Sequence, residues 1–285
     1  MYGQAIRSAG FVRCLAVGGA LLAKPAACLS IARAILAMDV TTLLHSRGLP
    51  AAVVAIGFAL VARSIGAVTD GGAVAGILVA FVLMFAAGLS GILPLAAVFL
   101  LTVITTRWGY GRKQRLGVAE RRRGRTARQI LANLCPAALC AAPVIWVPQF
   151  GDVLLLAAMA ALAEAAADTV SSELGQATAN SAYMITDFRP SAIGTNGAIS
   201  VEGTLSGCIA ASIVAWVSAY AGIVVWQRTP IVALAGIAGM FLDSVLGATW
   251  ENSGRMGNDS VNFVSNVFAA DLALLTVMVV GRIGF

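Results

Sequence analysis

Residues 154–175 read Leu-Leu-Leu-Ala-Ala-Met-Ala-Ala-Leu-Ala-Glu-Ala-Ala-Ala-Asp-Thr-Val-Ser-Ser-Glu-Leu-Gly. This run of small apolar residues is typical of a helix in lipid, and it leads into a polar stretch from Asp168 to Glu173. Ionisable residues at the edge of an apolar span are costly, which indicates that they serve a function. Gly175 permits a turn, so the pattern predicts that the helix ends close to it. Carboxylates and hydroxyls together suit a hard cation such as Mg²⁺ and the phosphates that it carries.

The composition of the whole chain is that of an integral membrane protein. Of its 285 residues, 59% are hydrophobic and 11% are charged, whereas a soluble domain carries about 25% charged residues. Long apolar runs recur along the chain, unlike the short alternating segments of a membrane barrel. We therefore predict an all-α, polytopic transmembrane helix bundle with about eight or nine spans. The candidate spans are residues 50–66, 71–88, 91–107, 129–147, 152–170, 201–225, 230–249 and 261–281, with the less regular segment 11–38 as a ninth.

Basic residues are concentrated in residues 107–128, which hold nine Arg or Lys side chains and one acid. Such a cluster between two apolar runs predicts a cytoplasmic loop in the inner membrane. It could contact anionic lipid head groups or bind phosphates. When the chain is threaded outward from this loop, the polar segments that flank the other spans all fall on the cytoplasmic face. We therefore expect one composite site on that face.

Residues 1–48 and 49–285 are expected to differ in structure. Basic residues precede an apolar stretch near the start, as in a signal peptide, but Lys24, Pro25 and Arg33 interrupt it. We interpret residues 1–48 as an N-terminal span or an interfacial helix, and residues 49–285 as the transmembrane domain.

Histidine and cysteine usage disfavours several kinds of site. The five cysteines have neither the spacing of a zinc site nor that of a disulfide framework. The single histidine, His45, lies far from the polar motifs. A histidine-based triad, a His-Glu-x-x-His zinc site and a haem are therefore all disfavoured.

Glycines spaced four apart predict close packing between helices in lipid. The pairs are Gly72 with Gly76 and Gly203 with Gly207.

Three further polar segments could carry chemistry. Residues 194–203 form a glycine-rich loop that could offer backbone N–H groups to a phosphate, although the same residues also make an ordinary turn. Asp243 lies inside an apolar run, where a hydrogen bond between helices is the alternative role. Asp259 begins the last span and could simply cap its helix. Glu164 lies one turn before Asp168 on the same helical face, where it could support a site or bridge two helices.

Four motifs, in this order, resemble the DUF92 family of membrane proteins. They are residues 167–175, 194–204, 242–249 and 258–263. Residues 69–76 and 125–133 resemble two further elements of the family, and the similarity covers about residues 60–283. The family includes the plant and cyanobacterial phytyl-phosphate kinases and an animal transmembrane relative. The chain departs from the family at Val170, Ser171, Ala198 and Trp250, which bears on substrate preference more than on chemistry because no carboxylate is lost.

The resemblance implies a kinase that transfers a phosphoryl group from a nucleoside triphosphate, with CTP as the first choice, to an isoprenoid monophosphate. The product would be the diphosphate, and Mg²⁺ would be the cofactor. A phosphate acceptor is already anionic, so no general base is required. The expected partners are membrane lipids, a phytyl-like isoprenoid monophosphate and a nucleoside triphosphate, but no nucleic acid. The oligomeric state stays open.

The candidate site residues follow from these motifs and from the basic loop. The predicted catalytic and metal-binding carboxylates are Asp168, Glu173, Asp243 and Asp259, with Glu202 as a further metal ligand. The predicted phosphate- and nucleotide-binding residues are Arg107, Lys113, Arg128, Thr195, Asn196, Gly197, Ser200, Asn258 and Asn262.

Two other functions compete with this interpretation. Carboxylates near helix breaks in a bundle rich in small residues also describe an ion-coupled transporter. Against a transporter, the charges gather on one face instead of near the midplane. A phosphotransferase of the CDP-alcohol type is disfavoured, because residues 70–73 begin like its signature but the rest of the signature is missing.

Overall fold

The structure is a computed structural model that describes residues 44–119 and 124–283. Most of these residues are helical. The α-helices are α1 (Leu49–Ser64), α2 (Asp70–Ala87), α3 (Ile92–Arg107), α4 (Tyr110–Arg115), α5 (Ala127–Ala141), α6 (Gly151–Thr178), α7 (Val201–Tyr220), α8 (Thr229–Leu246) and α9 (Asn258–Ile283).

Short elements join the helices. A small antiparallel sheet between α6 and α7 has the strand order β2-β1-β3, with β1 at Ala182–Met184, β2 at Pro190–Ser191 and β3 at Ala198–Ile199. Two π-helical turns cover Leu44–Gly48 and Gly247–Glu251. The 3₁₀ turns are Leu89–Gly91, Ala142–Ile145, Pro148–Phe150 and Trp226–Arg228.

Within the described residues, eight helical segments are long and apolar enough to cross a membrane. This confirms the predicted all-α, polytopic bundle, and the eight segments match the eight regular spans expected from hydropathy. The ninth candidate, residues 11–38, and most of the proposed N-terminal unit lie outside the described residues. The segments are Ser46–Ser64, Asp70–Ala87, Leu89–Arg107, Ala127–Ile145, Pro148–Thr178, Val201–Tyr220, Trp226–Glu251 and Asn258–Val280.

Helix α6 is the centre of the bundle. It packs against α3, α5, α7, α8 and α9, and every residue from Leu156 to Ala167 is buried. Its alanines let neighbouring backbones approach closely, which is how helices associate in lipid. Large apolar side chains such as Leu60, Trp216 and Leu234 instead face outward, as expected of the lipid-facing surface of a membrane protein.

The predicted end of this helix near Gly175 is wrong. Helix α6 continues to Thr178, and Gly175 is buried within it. A Cβ atom at Gly175 would lie 3.0 Å from Oγ of Ser200 and 3.5 Å from Cα of Gly203. The glycine therefore allows the beginning of α7 to pack against α6, and it makes no turn.

The two glycine pairs have different environments. A Cβ at Gly203 would lie 2.6 Å from the carbonyl oxygen of Ser171, and one at Gly207 would lie 2.9 Å from that of Ala167. This pair therefore packs α7 against α6, as predicted. Gly72 packs against the backbone of residue 125, but a Cβ at Gly76 would meet nothing within 4 Å. The packing prediction is therefore wrong for Gly76.

Gly203→Ala is expected to lower the free energy of unfolding by about 1–3 kcal/mol, because the added methyl group overpacks the α6–α7 contact. Gly57→Ala in α1 is the control, since a Cβ there meets nothing within 4 Å. The control should be neutral or slightly stabilising through helix propensity. Unfolding followed by circular dichroism in detergent measures both variants. Equal stability of the two would contradict the packing role of Gly203.

The polar segments meet at one end of the bundle. The segment before α5 pairs with the segment before α2, where Arg125 N donates to Ala67 O at 2.9 Å and Thr69 N donates to Arg125 O at 3.0 Å. The beginning of α7 packs on the last turns of α6. Asn252, after α8, donates its amide to Asn196 O at 3.1 Å. The structure therefore brings the segments together as the threading predicts, and their cytoplasmic location stays a prediction.

Candidate functional site

A polar pocket of about 260 Å³ lies at this shared end, between α5, α6 and α9. Hereafter it is called the polar pocket. It contains an arginine, two carboxylates, hydroxyl groups and side-chain amides, which together can bind phosphates and a hard cation. Its lining residues are Val118, Arg125, Gln129, Asn133, Asp168, Thr169, Ser172, Glu173, Gln176, Asn258 and Asn262.

The carboxyl groups of Asp168 and Asp243 lie side by side. Asp168, on α6, lines the polar pocket, and its side chain is within hydrogen-bonding range of Asp243 on α8. Ser265 Oγ on α9 donates to Asp243 Oδ2 at 3.2 Å. Two neighbouring carboxylates repel each other, and a divalent cation relieves that repulsion. This pair is therefore the strongest candidate for a cation-binding element.

Side-chain amides connect the pair to α5 and α9. In the amide orientation that satisfies its neighbours, Asn262 donates to Asp243 Oδ2 at 3.2 Å and accepts from Asn133 Nδ2 at 3.2 Å. Both asparagines are buried. A network from α5 through α9 to α8 therefore holds Asp243 in place, and Asp243 in turn orients Asp168.

Glu164 lies one turn deeper on α6 and is fully buried. Its carboxyl group lies near Asp168, Asp243 and Ser265, but neither oxygen completes a hydrogen bond with a described residue. Gly239 on α8 makes room for it, since a Cβ there would lie 2.5 Å from Glu164 Cγ. Burying an acid without a hydrogen bond is costly, so this position favours a functional role beneath the Asp168–Asp243 pair.

Glu173 forms a buried ion pair instead of an open cation site. Lys113 Nζ lies 2.5 Å from Glu173 Oε2 and also donates to the carbonyl oxygens of Thr105 and Thr106 at 3.0 and 2.8 Å. The hydroxyl of Thr106 donates to Glu173 Oε1 at 3.0 Å. All three ammonium protons are thus used. Lys113 does not line the polar pocket, and the pair ties α3 and α4 to α6, which differs from the metal and phosphate roles expected for these residues.

Arg128 and Asp259 form an ion pair between the first turns of α5 and α9. Arg128 Nε lies 2.5 Å from Asp259 Oδ2, and the Arg128 side chain is 77% exposed. Neither residue lines the polar pocket. Arg107 donates from Nη2 to Ile65 O at 2.6 Å, and it lines another cavity, of about 410 Å³, that Arg125 also lines. The structure therefore does not bring these three residues into the pocket.

The glycine-rich loop packs against α8 and its following turn. Gly197 has a φ of +77°, and a side chain there would collide with the backbone of Ala248. Ser200 caps α7 by accepting a hydrogen bond from Gly203 N at 3.1 Å. Thr195, Asn196, Gly197, Ser200 and Glu202 are not among the residues that line the polar pocket. The loop therefore packs as an ordinary turn outside this pocket, and its phosphate-binding role stays a prediction.

Comparison with known proteins agrees with this architecture. Residues 53–270 match the family described as integral membrane protein DUF92. The chain belongs to this family. An uncharacterized membrane protein of Synechocystis is 32% identical over 192 residues, which cover 66% of this chain and 74% of that protein. No solved structure matches the chain.

Two further relatives of this DUF92 protein come from a plant and an archaeon. Protein VTE6, chloroplastic, of Arabidopsis thaliana is 29% identical over 195 residues, which cover 66% of this chain and 59% of that protein. The match therefore spans less than two thirds of the plant protein. An uncharacterized membrane protein of Methanocaldococcus jannaschii is 29% identical over 208 residues, which cover 72% of this chain and 83% of that protein.

The site of this DUF92 protein includes residues that sequence reasoning did not select. Arg125, Gln129 and Asn133 are spaced four apart, and such spacing places side chains on one face of a helix and its preceding turn. Ser172 follows Asp168 by four residues, and Glu173 follows Thr169 by four, which are spacings of one helical face. These two spacings were the signal in the sequence that could have identified the additional pocket residues. The backbone pairing of residue 125 with Ala67 and Thr69 could not be foreseen, because it joins segments far apart in the chain.

A magnesium ion fits part of this DUF92 site. Among residues 44–119 and 124–283, no three His, Cys, Asp or Glu side chains form a group that could hold a metal by themselves. Magnesium sites at phosphates need only one or two carboxylates, because phosphate oxygens and water complete the octahedron. Asp168 and Asp243 could therefore hold a Mg²⁺ together with oxygens from water or a bound ligand.

Proposed function

We propose that this protein is a membrane-embedded kinase that transfers a phosphoryl group from a nucleoside triphosphate to an isoprenoid monophosphate. CTP is the proposed phosphoryl donor. The observation that carries this proposal is the Asp168–Asp243 carboxyl pair at a pocket that also contains Arg125. The family resemblance supplies the reaction type. The proposed product is the isoprenoid diphosphate.

The pocket residues can perform this reaction by positioning and charge stabilisation. Asp168 and Asp243 would hold Mg²⁺, which neutralises charge on the nucleotide phosphates. Arg125 and the amide of Asn258 would hold phosphate oxygens by charge-assisted and neutral hydrogen bonds. An oxygen of the acceptor phosphate forms the new bond to the terminal phosphorus as the bridging oxygen of the nucleotide leaves with its electron pair. The acceptor is anionic, so no side chain has to remove a proton.

We further propose that the polar pocket faces the cytoplasm. Arg125 belongs to the basic segment 107–128, and basic loops are retained on the cytoplasmic side of a membrane. A nucleoside triphosphate is available on that side.

An assay with purified protein tests the kinase proposal. The protein in detergent is incubated with Mg²⁺, labelled CTP or ATP, and phytyl, farnesyl or geranylgeranyl monophosphate, and the diphosphate is separated by chromatography. Formation of labelled diphosphate from at least one pair is expected. If protein shown to be folded makes no diphosphate from any pair, the kinase proposal is wrong.

Arg125→Gln is expected to lower kcat/KM for diphosphate formation by about 10²- to 10³-fold, as when one preorganised charge-stabilising group is removed. Arg228→Gln is the matched control, because Arg228 lies at the beginning of α8, at the opposite end of that helix from Asp243. The control should retain full activity. Equal activity of the two variants would remove Arg125 from the proposed mechanism.

One observation favours ion-coupled transport as a second candidate function. Glu164 is buried within the bundle without a hydrogen bond to a described residue, and intramembrane acids of this kind often bind transported cations or protons. Uptake by proteoliposomes without nucleotide consumption would support transport. Nucleotide-dependent diphosphate formation without such uptake would exclude it.

A further inference from the structure

A narrow apolar cavity lies between α1, α2, α3, α5 and α6. Hereafter it is called the apolar slot. Its walls include Phe58 and Ala62 of α1, Leu95 and Phe99 of α3, and Leu134 of α5. The slot has a volume of about 80 Å³, which is room for about five to eight water-sized groups. This small volume has room for part of one hydrocarbon chain and leaves none for a second chain beside it.

The apolar slot adjoins the polar pocket. Arg125, Gln129, Asn133 and Thr169 line both. The slot has one further polar side chain, that of Thr102, and its other lining residues are apolar or glycine. The slot is therefore apolar along its length and positively charged where it meets the pocket. This is the charge pattern that complements a lipid with one apolar chain and an anionic head.

Gly76 is a lining residue of the slot that carries no side chain. It lies within α2, where glycine is unfavourable relative to alanine, and it makes no close helix contact, because a Cβ there meets nothing within 4 Å. A larger side chain at this position would occupy the space that a ligand would take.

We propose that the apolar slot binds the hydrocarbon chain of a single-chain lipid monophosphate and that Arg125, with Gln129, receives its phosphate. The identity of the head group rests on the proposed kinase function, whereas the location of the chain rests on the cavity. In this arrangement the phosphate lies at the boundary between slot and pocket, facing the Asp168 side of the pocket. The slot thus selects acceptors by chain number and chain length.

Gly76→Leu tests the slot by filling it. The variant should lower the preference for phytyl monophosphate over isopentenyl monophosphate, measured as the ratio of kcat/KM values, by about 10-fold or more, because a filled apolar pocket discriminates against extra methylene groups. Gly57→Leu on α1 is the matched control: a Cβ there also meets nothing within 4 Å, and Gly57 does not line the slot. The control should keep the wild-type ratio. An unchanged ratio in Gly76→Leu would overturn the proposal and leave the slot to another occupant.

A binding measurement separates this proposal from the kinase proposal. A geranylgeranyl monophosphate analogue with a diazirine on its chain is photo-crosslinked to the full-length protein without nucleotide, and the labelled peptides are identified by mass spectrometry. We expect labelling in α1, α2 or α3, loss of labelling in Gly76→Leu, competition by phytyl monophosphate and weak competition by two-chain phosphatidic acid.

The outcomes distinguish the two proposals. Slot labelling with this competition pattern, but without any turnover, supports the lipid site and rejects the kinase. Turnover with labelling elsewhere, or with equal competition by phosphatidic acid, rejects the slot and leaves the kinase standing.

Discussion

Asp168→Asn and Asp243→Asn are each expected to lower kcat for diphosphate formation by about 10³-fold or more. Phosphoryl transfer depends on charge stabilisation, and removing one charged group from such a site lowers kcat by a factor of about this size. Asparagine keeps the shape of the side chain but loses the charge that would hold Mg²⁺. Because the two carboxyl groups lie side by side, removing one charge relieves repulsion, and neither variant should unfold more easily.

Single-turnover experiments with labelled CTP measure this loss, and thermal unfolding in detergent checks the fold. Asp152→Asn is the matched control, since Asp152 lies in the first turn of the same helix, α6, and is exposed. It should keep wild-type activity. Full activity in Asp168→Asn or Asp243→Asn would remove that residue from the site.

Lys113→Met is expected to lower the free energy of unfolding by about 3–5 kcal/mol, because it leaves a buried carboxylate without its counter-charge. The Lys113 side chain is fully buried and that of Glu173 is 8% exposed. The variant also leaves the carbonyl oxygens of Thr105 and Thr106 without the ammonium that they bind. Equilibrium unfolding in mixed detergent measures the change.

Two further variants serve as controls for the stability loss expected in Lys113→Met. Lys113→Met combined with Glu173→Met should recover much of the loss, because the unpaired buried charge is gone. Arg63→Met breaks the exposed ion pair with Asp70, whose side chains are 49% and 87% exposed. It should leave stability unchanged, since exposed ion pairs contribute little. If Lys113→Met proved as harmless as Arg63→Met, the buried pair would not anchor α4 to α6.

The membrane spans could be predicted because hydropathy is a local property of each segment. Threading from the basic loop then correctly brought the polar segments to one end of the bundle. Asp168 was recognised for the same reason, since an acid at the edge of an apolar run is conspicuous in the sequence alone. Its contact with Asp243 could be suspected from the shared end, but the contact itself depends on the rotation of α6 against α8.

The contacts of the other candidate residues could not be predicted from the sequence, for identifiable reasons. Lys113 and Glu173 each looked like a free charge, although burial of both makes them partners. The glycines of the loop match a phosphate-binding loop in the sequence, whereas the structure shows that Gly197 is needed because Ala248, in the turn after α8, leaves no room for a side chain. Arg125 lay among nine basic residues with nothing local to single it out.

The sequence by itself determined the helical class, the spans, the expectation that polar segments share one end, and the likeness to the DUF92 family. These properties depend on composition and on short motifs. The tertiary structure decided which polar side chains line the polar pocket, which ones form ion pairs instead, and where the apolar slot adjoins the pocket. Those outcomes depend on contacts between residues far apart in the chain, such as Lys113 and Glu173 or residue 125 and Ala67. Helix rotation and close packing set such contacts, and no local pattern encodes them.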